Sequence, residues 1–300
     1  MGTLDPNARR TYVCGMAQLS VWYVHRLLEC GEIPPGGIPA ALSDRVNLYR
    51  LTDLWDGTND DDGSRNPEWQ TCTTQIARWV LAAPRATAQG DTALLEQQTL
   101  TLLEPSLERR LPRDLDPPPA GPFGCWTSEL GWPGFADRPG RLGKLTNTAH
   151  LTDALRRVVG LAPRPSRDGV LHFTNVLAPA SPFDDLLALA GSLRALIAHL
   201  REHHPEVREL WCNTWLNEHP KFREIFPDPW FRNGVVAPPG RFRNWWGQFA
   251  RRDGGFNQTL AQRFRASGGT FPFRALLCHA GLDEVDRHLA THFLPEPSTS

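Results

Sequence analysis

The sequence predicts an α/β protein, with a helical N-terminal half and a C-terminal half that contains a βαβ unit and a partly parallel sheet. Apolar residues recur at helical spacing in the first half. Strand-like and helical segments alternate after residue 165. The composition, 40% hydrophobic and 22% charged, is typical of a folded globular chain.

Three helices are predicted in the first half from mixed three- and four-residue apolar spacing, over 8–30, 68–83 and 91–111. Pro105 lies inside the third segment and is expected to end or kink that helix, because proline removes one backbone hydrogen bond. Residues 46–55 alternate in part between apolar and polar types, which favours a short strand.

The second half is predicted as a strand, a helix and a strand joined by a right-handed crossover, so that the two strands are parallel. Ser181 is the expected N-cap of the helix, because proline and two acidic residues follow it. A further strand and helix are expected near the C-terminus. The predicted segments are 170–177, 181–203, 208–216, 274–279 and 282–293.

A segment rich in proline and glycine, 112–143, is the expected place for a domain boundary or an active-site lid. The predicted organisation is a mainly helical region, 1–143, followed by an α/β region, 144–300, in one compact unit.

Charge and cysteine content restrict the compartment and the partners. The formal net charge is −1, which favours neither nucleic acid nor a membrane surface and is compatible with a homodimer. None of the six cysteines forms a C-x-x-C pair, and no signal peptide is visible. Buried free thiols in the cytoplasm are therefore expected.

Motifs of several common enzyme classes are absent from the sequence. There is no G-x-S-x-G, Walker A or G-x-G-x-x-G segment, which disfavours the common hydrolases, NTPases and dehydrogenases. Two H-x-x-x-H pairs occur, His199 with His203 and His288 with His292. Two ligands alone make a weak metal site, so we interpret both pairs as solvated helix ends and expect no metal.

Two glutamates in the third predicted helix are candidates for proton transfer. Glu96 falls inside the apolar stripe of that helix, and a carboxylate held in an apolar wall favours its protonated form. Such a group can exchange protons near neutral pH. The alternative is that Glu96 reaches water or pairs with an arginine. Glu104, which precedes Pro105, is the rival candidate.

Substrate contacts are expected in both halves. Arg78 lies beside Trp79 on a predicted helix, where it could bind a carboxylate while the ring flanks the ligand. A surface ion pair is the alternative for Arg78. Because ligands bind at the carboxyl ends of strands, polar and aromatic residues of the βαβ strands are further candidates. These candidates are His172, Asn175, Asn213 and Trp215.

Eleven tryptophans suit a flat aromatic ligand, although most tryptophans are core residues. Trp245 and Trp246 belong to a dense aromatic segment that could be a core strand, a dimer interface or a ring-stacking wall. Asn217 could line a pocket, but capping of a helix is the more common role for asparagine.

Three short segments, 172–175, 213–216 and 246–249, together with the helical first half, resemble the microbial Pictet–Spenglerases that form β-carbolines. The resemblance implies a cofactor-free enzyme that condenses L-tryptophan with an aldehyde, with a glutamate as the proton-transfer residue. The spacing from Arg78 to Glu104 is similar to the arginine–glutamate pair of that family, whereas apolar periodicity favours Glu96. The family's histidine between the two has no counterpart here.

Two other classes remain open at this point. A non-catalytic binding or carrier protein would have the same aromatic pocket without a proton-transfer glutamate. An interaction module would instead place its tryptophans at an interface between subunits.

Overall fold

The computed structural model describes residues 5–55, 62–84, 92–114, 123–126, 168–173, 180–237 and 243–293. It confirms the α/β class, with helices in the first half and a mixed sheet later. The chain divides into two compact units, each built from separate stretches. The helical unit contains the described residues up to 114 and those of 243–275; the sheet unit contains the others. The predicted boundary at 143 falls outside the described residues.

The helical unit is organised around helix α1, Pro6–Glu29. The Asp5 side chain accepts a hydrogen bond from the Asn7 backbone nitrogen and caps this helix. Most of the circumference of α1 is buried, which is typical of a central helix. The other N-terminal helices are α2, α3, α4 and α5, with the bounds Ile38–Asp44, Leu48–Leu51, Pro67–Ala82 and Ala93–Asp114.

The segment 46–55 was predicted to be a strand, but it contains the short helix α3. Leu48 and Leu51 are both buried, and their spacing of three residues places them on the same side of a helical turn. The buried residues therefore follow the helical period here. The partial alternation of apolar and polar residues in this short segment had suggested the period of a strand.

Pro105 does not break α5, which runs from Ala93 to Asp114. Pro105 lies on the exposed side of the helix, whereas Leu103 and Leu107 are buried in the core. Burial of these leucines stabilises the helix on both sides of the missing backbone hydrogen bond, so the predicted break was wrong.

Aromatic side chains form the rest of the helical core. Trp245 and Trp246 are 4% and 0% exposed, and they lie in α9 (Arg243–Trp246) rather than in a strand. Phe264 of α10 (Gln258–Ala266) packs against Trp246, with ring centroids 6.0 Å apart. The two tryptophans are therefore core residues of this unit.

Within the described residues, the sheet unit contains five strands in the order β1-β2-β3-β5-β4. Their bounds are Phe123–Trp126, Asp168–Phe173, Glu209–Thr214, Val235–Val236 and Leu276–Gly281, from β1 to β5. Of these four strand pairs, β2–β3 is parallel and the others are antiparallel, and the parallel pair is connected through helix α6, Leu186–His203. The predicted βαβ unit is confirmed.

Helix α6 begins later than predicted. Its N-cap is Asp185, whose carboxylate accepts from the backbone nitrogen of Ala188. Ser181 instead stabilises the preceding turn, where its hydroxyl accepts from the Phe183 nitrogen at 3.2 Å. Serine side chains cap turns as well as helices, so the sequence pattern alone did not separate the two.

The apolar core of the sheet unit lies between the sheet and two helices, α6 and α11 (Leu282–Phe293). Two short helices, α7 (Pro220–Arg223) and α8 (Asp228–Arg232), add Phe222 and Trp230 to this core.

Asn217 is fully buried in the sheet unit and has a structural role. Its side-chain nitrogen donates to the carbonyl oxygens of Cys212 and Leu276, at 3.0 and 2.8 Å. Its side-chain oxygen accepts from the Trp230 indole nitrogen at 3.0 Å. Asn217 therefore joins strands β3 and β5 to a core tryptophan, a different role from the capping of a helix or the lining of a pocket.

Candidate functional site

Glu96 forms a two-pronged ion pair with Arg265 in the helical unit. Arg265 donates from Nη1 to Oε1 and from Nη2 to Oε2 of Glu96, both at 2.8 Å. The side chains of Glu96 and Arg265 are only 13% and 28% exposed. The Thr92 hydroxyl donates to Oε1 at 2.8 Å, and the guanidinium lies 5.0 Å from the Trp22 ring centroid.

Glu96 thus adopts the alternative in which it pairs with an arginine. Both carboxylate oxygens accept charge-assisted hydrogen bonds in the planar two-pronged geometry that arginine favours. An arrangement of this kind holds the side chain in one position and occupies both oxygens, which is more typical of a structural ion pair than of a proton-transfer group.

Glu104 lies eight residues further along α5, in a more accessible position. Its Oε1 accepts from Arg10 Nη2 at 2.9 Å, and its side chain is 44% exposed. Arg10 also contacts Glu108 Oε1 at 2.8 Å. No residue that the structure describes donates to Oε2 of Glu104, so one carboxylate oxygen is available for proton transfer.

An open depression of about 320 Å³ lies between α4 and α5. Its lining combines an aromatic ring, two amides, a hydroxyl and an aliphatic side chain, from Trp79, Gln97, Gln98, Thr101 and Leu102. An aromatic wall with a few polar groups is a common arrangement in small-molecule sites.

Glu96 and Glu104 differ in their angular position around α5 relative to this depression. An α-helix turns about 100° per residue, so Glu104 lies within about 60° of Gln97 and Thr101 around the α5 axis. Glu96 lies about 100° or more from each of the four lining residues of α5. Glu104 is therefore on the side of α5 that carries Gln97 and Thr101, whereas Gln98 lies about 120° from it around the axis.

Arg78 immediately precedes Trp79 on α4, and its side chain is exposed. Consecutive helical residues point about 100° apart, so Arg78 flanks the depression without lining it.

The candidates of the second half belong to the sheet unit. His172 pairs with Gly124 in the β1–β2 register, and Asn175 lies outside the described residues. Asn213 is half-buried in β3, opposite Leu277. Trp215 follows Thr214 at the end of β3 and packs against the core of the unit.

Histidine pairs and cysteines are the remaining reactive groups. The rings of His199 and His203 are stacked 4.1 Å apart, and those of His288 and His292 lie 4.6 Å apart. In the part of the chain that the structure describes, no group of three or more His, Cys, Asp or Glu side chains could hold a metal ion. Burial raises the pKa of the Cys278 thiol to about 12.

Sequence reasoning did not find the polar lining of the depression. Gln97 and Thr101 are four residues apart on α5, which places both on one face. This spacing was visible in the sequence, but polar residues on an exposed helix face usually contact only water.

Comparison with protein-family models, with curated proteins and with solved structures finds no match for this chain. No helix among the described residues has the length and apolar character that crossing a membrane requires.

Proposed function

We propose that the protein is a cofactor-free biosynthetic enzyme that condenses L-tryptophan, or a related indole-ethylamine, with an aldehyde to form a tetrahydro-β-carboline. The observation that carries the proposal is the depression at Trp79, of whose lining Gln97 and Thr101 share a side of α5 with Glu104. This surface combines a platform for an aromatic ring with an accessible carboxylate.

Each residue has a separate role in the proposed reaction. The Trp79 ring contacts the indole of the substrate, because aromatic rings pack favourably in offset or edge-on geometry. Gln97 and Thr101 supply hydrogen-bonding groups that orient the amine side chain. Arg78, on the flank of the depression, binds the substrate carboxylate.

The proposed chemistry needs no metal and no redox partner. The substrate amine attacks the aldehyde carbon, and loss of water gives an iminium ion. Carbon 2 of the indole then forms the new bond to the iminium carbon, whose π electrons move to nitrogen. Glu104 accepts the proton from carbon 2, which restores the aromatic indole. Arg10 holds the side chain of Glu104 through Oε1.

The resemblance of the sequence segments to Pictet–Spenglerases supports the same choice of residues. The pair in that resemblance is Arg78 and Glu104, and the position of Glu104 on α5 agrees with this pair better than that of Glu96. We further propose that the protein acts as a homodimer in the cytoplasm, which size-exclusion chromatography with light scattering would test. A monomeric mass would contradict the dimer.

A second candidate is a non-catalytic protein that binds or carries an aromatic metabolite. It is favoured by one observation: both candidate glutamates contact arginines, Glu96 through Arg265 and Glu104 through Arg10. In a carrier, these glutamates stabilise the helical unit and Trp79 supplies the ligand contact.

Incubation of the purified protein with L-tryptophan and a panel of small aldehydes, followed by mass spectrometry, tests the proposal. We expect β-carboline formation above the uncatalysed rate. Glu104→Gln should lower the rate by about 10²-fold or more, because general base catalysis contributes about that much. Glu108→Gln is the matched control, since Glu108 contacts the same arginine.

The outcomes separate the two candidates. An equal loss of rate in both variants would indicate that the rate depends on the ion pairs of Arg10 and not on a proton acceptor at Glu104. If the protein shows no rate above background but binds tryptophan, and Trp79→Phe weakens that binding, the carrier is favoured. Absence of both rate and binding would contradict both candidates.

A further inference from the structure

The lining of the depression at Trp79 divides into a half-buried part and an exposed part. Trp79, Gln98 and Leu102 are half-buried, whereas Gln97 and Thr101 are exposed. Gln98 and Leu102 are four residues apart on α5, so they lie on one side of that helix. A ring that fills the depression is therefore shielded from water mainly by the half-buried part.

Gln98 differs from Gln97 in what its amide contacts. Gln97 Nε2 donates to Oγ1 of Thr101 at 3.5 Å, a long contact on the exposed part of the lining. Among the residues that the structure describes, none forms a hydrogen bond with the Gln98 amide. A ligand can therefore bind this amide without breaking a contact to any of these residues. Gln98 is thus a half-buried polar group of the lining that is available to a ligand.

The chemistry of the half-buried part indicates which ligand group Gln98 binds. Trp79 and Leu102 offer apolar contact to a flat ring, and neither side chain carries a hydrogen-bond acceptor for it. A ring N–H that lies against these surfaces loses its hydrogen bond to water, and an unpaired donor costs free energy. The carbonyl oxygen of Gln98 is an acceptor beside the same two side chains.

We propose that Gln98 is a specificity-determining residue of the depression, which selects heteroaromatic ligands with a ring N–H over rings of the same shape that lack it. The ring N–H donates to Gln98 Oε1 while the ring contacts Trp79 and Leu102. This inference rests on the proposed function, in which the substrate is an indole-ethylamine, and it supplies the partner of the indole nitrogen. Gln98 contributes to binding and takes no part in bond formation.

The test compares L-tryptophan with 3-(3-benzothienyl)-L-alanine, in which sulfur replaces the ring N–H. Isothermal titration calorimetry without aldehyde gives the Kd of each ligand for the full-length protein and for Gln98→Leu. We expect Gln98→Leu to lower the preference for tryptophan over the analogue about three- to tenfold, because one hydrogen bond is lost. The ratio of the two Kd values is the readout, since leucine adds apolar surface that strengthens the binding of both ligands.

Gln97→Leu is the matched control, because it makes the same change on the exposed part of the lining and should leave the preference unchanged. An unchanged preference in Gln98→Leu, an equal fall in Gln97→Leu, or no binding of either ligand would overturn the inference. Since no aldehyde is present, the result does not depend on catalysis. Absence of β-carboline formation together with the expected change in preference would contradict the enzymatic function alone.

Discussion

Replacing Arg265 by Met removes the guanidinium that holds Glu96 and leaves an aliphatic side chain of similar length. Glu96 would keep the hydroxyl of Thr92 as a donor, but its carboxylate would remain largely covered without a counter-charge, since only 13% of the side chain is exposed. An unpaired charge in such a position destabilises the folded state.

The expected cost follows from the exposure of the two side chains. Breaking a buried pair by removing one partner costs about 3–5 kcal/mol, whereas an exposed pair contributes about 0–1 kcal/mol. With exposures of 13% and 28%, the Glu96–Arg265 pair lies between these limits. We expect Arg265→Met to lower the free energy of unfolding by about 2–3 kcal/mol, with loss of the contact over Trp22 included.

Urea unfolding followed by far-ultraviolet circular dichroism measures this cost. Glu96→Gln should cost about 1–2 kcal/mol, and the double variant should reveal a coupling energy of about 2 kcal/mol. Arg10→Met is the matched control, because its pair with Glu104 is 51% and 44% exposed and should contribute under about 1 kcal/mol. Equal losses in Arg265→Met and Arg10→Met would refute the reasoning.

Three further predictions concern other groups. Asn217→Ala should lower the free energy of unfolding in urea by about 2–4 kcal/mol, because it removes the hydrogen bonds to the Trp230 indole and to two carbonyl oxygens. A loss below about 1 kcal/mol would contradict the assigned role. Iodoacetamide at about pH 8 should label exposed Cys30 in the native protein but Cys278 only after unfolding, because burial raises the Cys278 pKa to about 12. Peptide mass spectrometry measures the labelling, and labelling of Cys278 in the native protein would contradict the prediction. Burial and two neighbouring histidines lower the pKa of His199 from 6.5, so its contribution to stability is full above that value and is lost as pH falls below it. The free energy of unfolding of His199→Asn in urea should therefore change less between about pH 8 and pH 5 than that of the parent protein. An unchanged pH dependence would count against this.

The sequence predicted those elements in which local pattern and packing agree. Helix α11 has the predicted bounds, because acidic residues mark its first turn and its apolar residues recur at helical spacing. The parallel β2–β3 pair followed from the strand–helix–strand order alone. The strand prediction for segment 46–55 was wrong because the segment is too short for its apolar spacing to distinguish a strand from a helix.

The candidate site was less predictable, because the partners of its residues are distant in sequence. Glu96 was placed correctly on α5, but its arginine is 169 positions away, and no local pattern encodes that contact. The same holds for Arg10, which contacts Glu104 across 94 positions. Periodicity identified two glutamates, and only the folded chain showed that Glu96 is largely covered by its arginine whereas Glu104 is more exposed.

The division of each unit between two stretches of chain has a consequence for synthesis on the ribosome. Tyr23 is made more than two hundred residues before its ring partner Phe264, which is 5.2 Å away in the native fold. Helix α1 must therefore wait with an incomplete aromatic core while most of the sheet unit emerges. β5 and α11 follow the last stretch of the helical unit, so the helical unit is complete on a nascent chain before the sheet unit is.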